Sequence, residues 1–143
     1  MNRRAVLKAL LSSTAAIAST ILFPIKVLAK WNEAAFSAEK INTALSEFYP
    51  GKEIIPNNKI TITVRPEIEN GAVVPIKVDT DLPDVESIAI FVENNPNPLI
   101  ANFDLSPKCK GFVSARIKMD GPSDILIIVV SKMQTFLDNQ NLK

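Results

Sequence analysis

From Ile60 onward, apolar residues recur every second position in short runs separated by proline, asparagine and glycine. This pattern constrains the fold more than any other feature of the chain. A period of two places alternate side chains on opposite faces of a strand, and each proline- or asparagine-rich interruption ends one strand and turns the chain. Ile60, Ile62 and Val64 alternate with Thr61 and Thr63 before Pro66. Val74, Ile76 and Val78 follow the Asn70-Gly71 turn signal, and Asp79-Thr80-Asp81-Leu82-Pro83 closes that run. Ile88, Ile90 and Val92 form a third set, bounded by Asn94-Asn95-Pro96-Asn97-Pro98. Leu99, Ala101 and Phe103 make a fourth; Val113, Ala115, Ile117 and Met119 make a fifth, ended by Asp120-Gly121-Pro122. Ile125 to Val130 is unbroken and apolar, as expected of a strand covered on both faces, and a weak seventh candidate lies around Gln134 to Leu137. Six or seven short strands at such spacing predict an all-β sandwich.

Ahead of the strands, Trp31, Ala35, Ala38, Ile41, Leu45 and Phe48 follow the three-and-four spacing of a helix with one buried stripe. Asn32 is placed to cap its start, and Pro50-Gly51 ends it. The expectation is one packing helix before the sandwich.

Composition removes most chemistries. The 143 residues contain no histidine, which excludes a Ser-His-Asp triad, a Cys-His pair and the common zinc and copper ligand sets. The single cysteine, Cys109, can form neither an internal disulfide nor a CxxC pair. A formal charge of +1 gives no field for gripping nucleic acid. Four glycines and no βαβ alternation leave nucleotide binding without support, so no cofactor is expected. The carboxylates Glu67, Glu69, Asp79, Asp81, Asp84 and Glu86 read as a solvated rim, and Asp79-Thr80-Asp81 lacks the glycine and distal glutamate of a calcium loop. Met119 and Met133, without histidine, make no copper site.

The N-terminus reads as a targeting segment, residues 1–29. A basic start, Met1-Asn2-Arg3-Arg4-Ala5-Val6-Leu7-Lys8, is followed by no charge until Lys26. Ala9 to Ile25 falls short of the roughly 20 apolar residues a spanning helix needs, so cleavage after Ala29 is expected rather than a stable membrane anchor. Arg3-Arg4 with Leu7-Lys8 resembles the twin-arginine export signal, the alternative being an ordinary secretory signal with two arginines. Both lead out of the cytoplasm. The twin-arginine route carries folded proteins, and with no cofactor ligands in view a co-exported partner is expected. Removing the leader takes away four positive charges and no negative one, leaving 12 basic against 15 acidic residues and a net charge of −3 on residues 30–143.

Particular strings go further than pattern. Trp31 with Ala35-Phe36, Ala44-Leu45, Phe48-Tyr49-Pro50-Gly51 and Ile60-Thr61-Ile62 stand in order before Arg65-Pro66-Glu67-Ile68-Glu69-Asn70-Gly71-Ala72-Val73-Val74-Pro75-Ile76. Leu82-Pro83, Val85-Glu86, Ile90-Phe91-Val92-Glu93-Asn94-Asn95-Pro96-Asn97-Pro98-Leu99 and Ser114-Ala115-Arg116-Ile117-Lys118-Met119 follow. Together these resemble SoxY, the sulfur-carrier subunit of the periplasmic thiosulfate-oxidising Sox system. The resemblance implies an immunoglobulin-like β-sandwich over residues 30–143, preceded by a helix. It also implies a periplasmic heterodimer with a SoxZ-like small β-sandwich, and transient contacts with the cytochrome, hydrolase and dehydrogenase components. In such a system this subunit is not itself an enzyme.

The resemblance further implies a C-terminal Gly-Gly-Cys-Gly-Gly arm whose cysteine holds the sulfur, glycine keeping it slim and flexible. Here no glycine follows Gly121, no cysteine follows Cys109, and the sequence reads Asn139-Gln140-Asn141-Leu142-Lys143. Leu142-Lys143 resembles the opening of the family's last strand, so the expectation is an incomplete last strand and an open edge beside Ile125 to Val130. A truncated gene, a frameshift, an incomplete sequence and an arm-less paralogue all fit this ending. Cys109, between Lys108 and Lys110, sits in a cationic setting that suits a thiolate, but its loop lacks the double glycines that give reach; it reads as an incidental thiol before a substitute carrier. Replacing Arg3 and Arg4 together by lysine is expected to stop export, scored by fractionation and immunoblotting; unchanged export would contradict the twin-arginine reading.

Overall fold

The computed structural model describes residues 31–64, 73–132 and 134–142. Residues 1–30 with Arg3 and Arg4, the Glu67, Glu69 and Asn70-Gly71 segment, Met133 and Lys143 lie outside the described residues. Trp31 is exposed and belongs to an N-terminal unit, Met1–Trp31; Asn32 onward forms a second compact unit.

Among the described residues, eight strands follow two helices: α1 Glu33–Phe36, α2 Ile41–Phe48, β1 Ile54–Pro56, β2 Ile60–Val64, β3 Val74–Thr80, β4 Val85–Val92, β5 Leu99–Asp104, β6 Gly111–Ile117, β7 Ser123–Ser131 and β8 Thr135–Leu142. One sheet has the order β1-β8-β7-β4-β5 and the other β2-β3-β6. Their division into two packed sheets, with β1 lying parallel to β8 and the remaining pairs antiparallel, is the immunoglobulin-like arrangement the resemblance implied. Between the sheets, Ile76 and Val78 of β3 and Val113 and Ile117 of β6 meet Ile88 and Ile90 of β4 and Ile125, Ile127 and Val129 of β7. Pro75, inside β3, stands opposite Arg116 of β6.

A second core lies on the other face of the larger sheet. There Ala89 and Phe91 of β4, Leu99 of β5 and Ile128 and Val130 of β7 pack under Ala35, Ala38, Ala44 and Tyr49, with Phe36, Leu45 and Phe48 partly buried around them. β7 is therefore covered on both faces, as its unbroken apolar run predicted. Alternation alone marked Ile88, Ile90 and Val92 of β4 as core; the structure adds Ala89 and Phe91, which serve the helical layer.

Two expectations are corrected. The single helix from Trp31 to Tyr49 is two short helices. Asn32 caps α1 by accepting from the Ala35 N–H (3.1 Å), and the same side chain donates from Nδ2 to the Glu47 carbonyl in the last turn of α2 (2.9 Å). One asparagine thus ties the start of α1 to the end of α2. A straight helix over the same stretch would be about 28 Å long. Broken at extended Lys40, the residues fold back over the sheet and place Ala35, Ala38 and Ala44 in one cluster. The second correction concerns the last strand. Leu142 does not open a strand; it lies in one that begins at Thr135 and is paired with β7 from Thr135 opposite Val130 to Leu142 opposite Ser123. The edge of β7 expected to be open is occupied by β8, and β1 extends the sheet beyond it along Thr135 to Leu137. Sequence reasoning missed β1 because a strand of three residues is too short to show a period.

Tyr49 is the uneasy member of the helical core. Its ring meets Phe48 edge-on at 5.0 Å, but its hydroxyl is buried without a hydrogen-bond partner among the described residues. Burial, reinforced by the charge of Asp104, pushes the hydroxyl well above its ordinary value of 10.0. The folded state then holds this proton above pH 10 while the unfolded state releases it. Tyr49 therefore contributes stability that is full below pH 10 and is lost as pH rises beyond it. Denaturant titrations between about pH 9 and 11.5 are expected to show this loss approaching about 1.4 kcal/mol per pH unit for one proton. Tyr49→Phe should remove that component and change neutral-pH stability little; identical profiles for both proteins would refute the assignment.

Candidate functional site

The two ends of the sandwich carry different residues. At one end lie the end of β3, the start of β4, the β5–β6 loop with Cys109, and the β7–β8 turn. Cys109 is exposed, and its N–H donates to the Ser106 carbonyl at 2.8 Å, closing a tight turn. Together with Lys110, Gly111 and Phe112 it borders an open cleft of about 810 Å³ whose other wall carries Asp79, Asp81 and Asp84. Gly111 keeps the wall narrow: a Cβ there would lie 2.5 Å from Thr80 Cγ2 and 2.9 Å from its carbonyl oxygen. Asp84 adopts a positive φ of 51° at the β3–β4 turn; its carbonyl accepts from the Lys132 N–H (3.2 Å) and its carboxylate lies 3.7 Å from Lys132 Nζ.

The sequence thus marked out Cys109, Lys110 and three of the carboxylates without showing that they border one cleft. Glu86, named with them, lies instead on β4, where its carbonyl accepts from the Leu105 N–H (2.8 Å). Among the described residues no three His, Cys, Asp or Glu side chains are grouped to hold a metal ion. Met119 is buried in the inter-sheet core.

The opposite end holds the last residue of β8, opposite the first residue of β7. It is braced by the loop that joins β4 to β5. The Asn94 N–H donates to Ser123 Oγ (2.9 Å) and its Nδ2 to the Pro122 carbonyl (3.0 Å). Buried Asn95 donates from Nδ2 to the Lys118 carbonyl (2.8 Å) and accepts at Oδ1 from the Asp120 N–H (3.0 Å). The Glu93 N–H donates to the Asp124 carbonyl (3.1 Å). Two adjacent asparagines therefore tie the β4–β5 loop to the β6–β7 turn, and the turn to the β7 terminus that pairs with Leu142. Asparagine suits this work because one amide both donates and accepts. The Glu93-Asn94-Asn95-Pro96 string, met in sequence as a family resemblance, has a structural task. Local sequence carries no sign of it, since the partners lie 23 to 29 residues away.

The nine residues of β7 run from one end to the other, a distance of roughly 30 Å at about 3.4 Å per residue. Cys109 and the end of β8 stand that far apart along the strand direction. Among the described residues no helix is long and apolar enough to cross a membrane.

Comparison with known proteins bears on the whole domain. The family model described as sulfur oxidation protein SoxY matches residues 45–142. Among solved structures, the sulfur carrier protein SoxY from Chlorobium limicola f thiosulfatophilum is 32% identical, with a TM-score of 0.68. The match covers 79% of this chain and 98% of that one. A superoxide reductase (neelaredoxin) from Ignicoccus hospitalis is 10% identical with a TM-score of 0.54, covering 60% of this chain and 80% of that one. A second structure of a superoxide reductase from the same organism is 13% identical with a TM-score of 0.53, covering 59% and 78%. Likeness at that identity shows the sandwich fold alone. No curated protein matches. With the family model spanning residues 45–142 and a SoxY structure matched almost end to end, the chain belongs to the SoxY family.

Proposed function

We propose that this protein is the SoxY-like half of a periplasmic sulfur-carrier heterodimer in the oxidation of thiosulfate or a related reduced sulfur compound. The observation that carries this reading is the match to the Chlorobium sulfur carrier over 98% of that chain. Residues 1–29 act as the twin-arginine leader and residues 30–143 as the carrier-family domain. A SoxZ-like small sandwich is the stable partner, and the cytochrome, hydrolase and dehydrogenase components are transient ones. The domain performs no catalysis itself; its rigid frame supports what its partners act upon.

Within this frame the two ends have different roles. An arm following β8 would leave the sandwich at the end braced by Asn94 and Asn95, which fixes its root while glycine frees its tip. Cys109 lies at the other end, on a loop held by its own backbone turn, and its position does not suit a thiol that must enter several partners.

Co-expression with a SoxZ-like subunit is expected to give a one-to-one complex in gel filtration and light scattering; two separate species would contradict the heterodimer. With that complex supplied to the remaining Sox components, Cys109→Ser is expected to leave thiosulfate-dependent electron release within about two-fold of the parent. A loss of about ten-fold or more would make Cys109 the carrier.

A further inference from the structure

The larger sheet ends on an edge that β1 covers only in part. β1 runs beside β8 from Ile54 opposite Thr135 to Pro56 opposite Leu137, and the Asn57 N–H then donates to the Leu137 carbonyl (3.0 Å). Asn57 Oδ1 accepts the Lys59 N–H (2.8 Å), a turn that carries the chain away to β2 in the other sheet. Beyond that point, residues 138–142 of β8 pair with β7 on one side and, among the described residues, with no strand on the other. Two hydrogen bonds show which backbone groups face outward there. The Leu137 carbonyl points at β1, and strand residues alternate, so the N–H and carbonyl groups of Asn139 and Asn141 point the same way. Asp124, opposite Asn141, agrees: its carbonyl is turned from β8 and accepts the Glu93 N–H (3.1 Å). One of these outward groups is already engaged, since the Asp138 carboxylate accepts the Asn139 N–H at 2.9 Å. Beside the edge lies an open groove of about 570 Å³ lined by Pro56, Asn57, Asn58, Leu137, Asp138 and Asn139.

We propose that this edge receives one extended, basic segment of a partner polypeptide as an added strand, and that Asp138 is the guard which that segment displaces. The occupant follows from what the edge offers. Backbone donors and acceptors at strand spacing are matched by another extended backbone. Asn141 supplies an N–H and a carbonyl, and Asn139 a carbonyl; the Asn139 N–H becomes available when the Asp138 carboxylate turns away. Residues 138–142, at about 3.4 Å each, give a seat of roughly 17 Å, room for a segment of about five residues. Asp138 has no ion-pair partner among the described residues, so a lysine or arginine on the entering segment gives the displaced carboxylate a new one. The guard therefore sorts what enters: an acidic strand meets a like charge at a capped donor, and a basic strand is compensated. So few bonds hold an isolated peptide weakly, with a dissociation constant on the order of 1 mM. The edge is separate from both sheet faces, and the proposal does not depend on the sulfur-carrier reading.

Capped pentapeptides test the proposal on the isotope-labelled full chain, read by amide chemical shifts and hydrogen exchange. At about 5 mM, Thr-Val-Lys-Val-Thr is expected to shift the amides of Asn139, Gln140 and Asn141 and to slow exchange at Asn141 by about three-fold or more. The same peptide with glutamate at its centre should bind about five-fold more weakly at low salt. A fully N-methylated version, which keeps the side chains but cannot donate, should bind about ten-fold more weakly. Asp138→Asn leaves an oxygen for the Asn139 N–H but no charge, and should erase the preference for lysine over glutamate. Asp138→Ala removes the guard as well and should tighten binding of a threonine-centred peptide by about three-fold. Thermal melts confirm that each variant is folded. The proposal is overturned if no peptide shifts these amides, if the N-methylated peptide binds as well as its parent, or if the shifted amides lie on β5 or β6 instead. It is equally overturned by a lysine preference that survives both substitutions, or by threonine-peptide binding that Asp138→Ala leaves unchanged or weakens.

Discussion

The larger sheet is buried on both faces, and the rest of the structure depends on that constraint. β7 sends Ile125, Ile127 and Val129 into the space between the sheets, and Ile128 and Val130 into the layer beneath the helices. β4 does the same with Ile88 and Ile90 on one side and Ala89 and Phe91 on the other. Each of the larger side chains contributes about 1.5–3 kcal/mol on burial, so neither layer can be removed without exposing a strand that has no polar face to show to water. The helices are thus a third layer of the domain. Ala35 and Ala44 of the helices and Ala38 of the break between them are small residues clustered with Phe91, Ile128 and Val130.

The two ends of the domain differ. Asn94 and Asn95 brace the end where β8 finishes, joining segments that would otherwise be independent turns. The other end keeps an open cleft lined by charged and polar groups, held at its rim by the Asp84–Lys132 contact and by the close approach of Gly111 to Thr80. On the proposed reading, that contrast gives the Cys109 end a peripheral place and makes the β8 end the root of a family arm.

Much of this was legible in the sequence because strand periodicity survives wherever one face of a strand is wet. β2, β3 and β6 alternate in the residues and alternate in the fold. Where both faces are dry, periodicity fades: β7 was recognised by its unbroken run, but the second role of Ala89 and Phe91 was not, since alternation assigns a residue to one core only. The helix was read as continuous because its apolar stripe runs on through Ala38, a residue buried in the break between α1 and α2. β8 looked weak because Asp138, Asn139, Gln140 and Asn141 are poor strand formers; it exists through pairing with β7, a tertiary contact that local propensity does not carry. The cleft and the asparagine braces were out of reach for the same reason, being made by residues far apart in the chain.

On the proposed reading, this SoxY-family domain is a rigid platform whose single cysteine is not where sulfur is carried. Peptide-mapping mass spectrometry tests that claim most directly, on the heterodimer incubated with thiosulfate and the Sox cytochrome. The peptide containing Cys109 is expected to be recovered without added sulfur or thiosulfonate mass. A stoichiometric, thiosulfate-dependent adduct on Cys109 would contradict the claim.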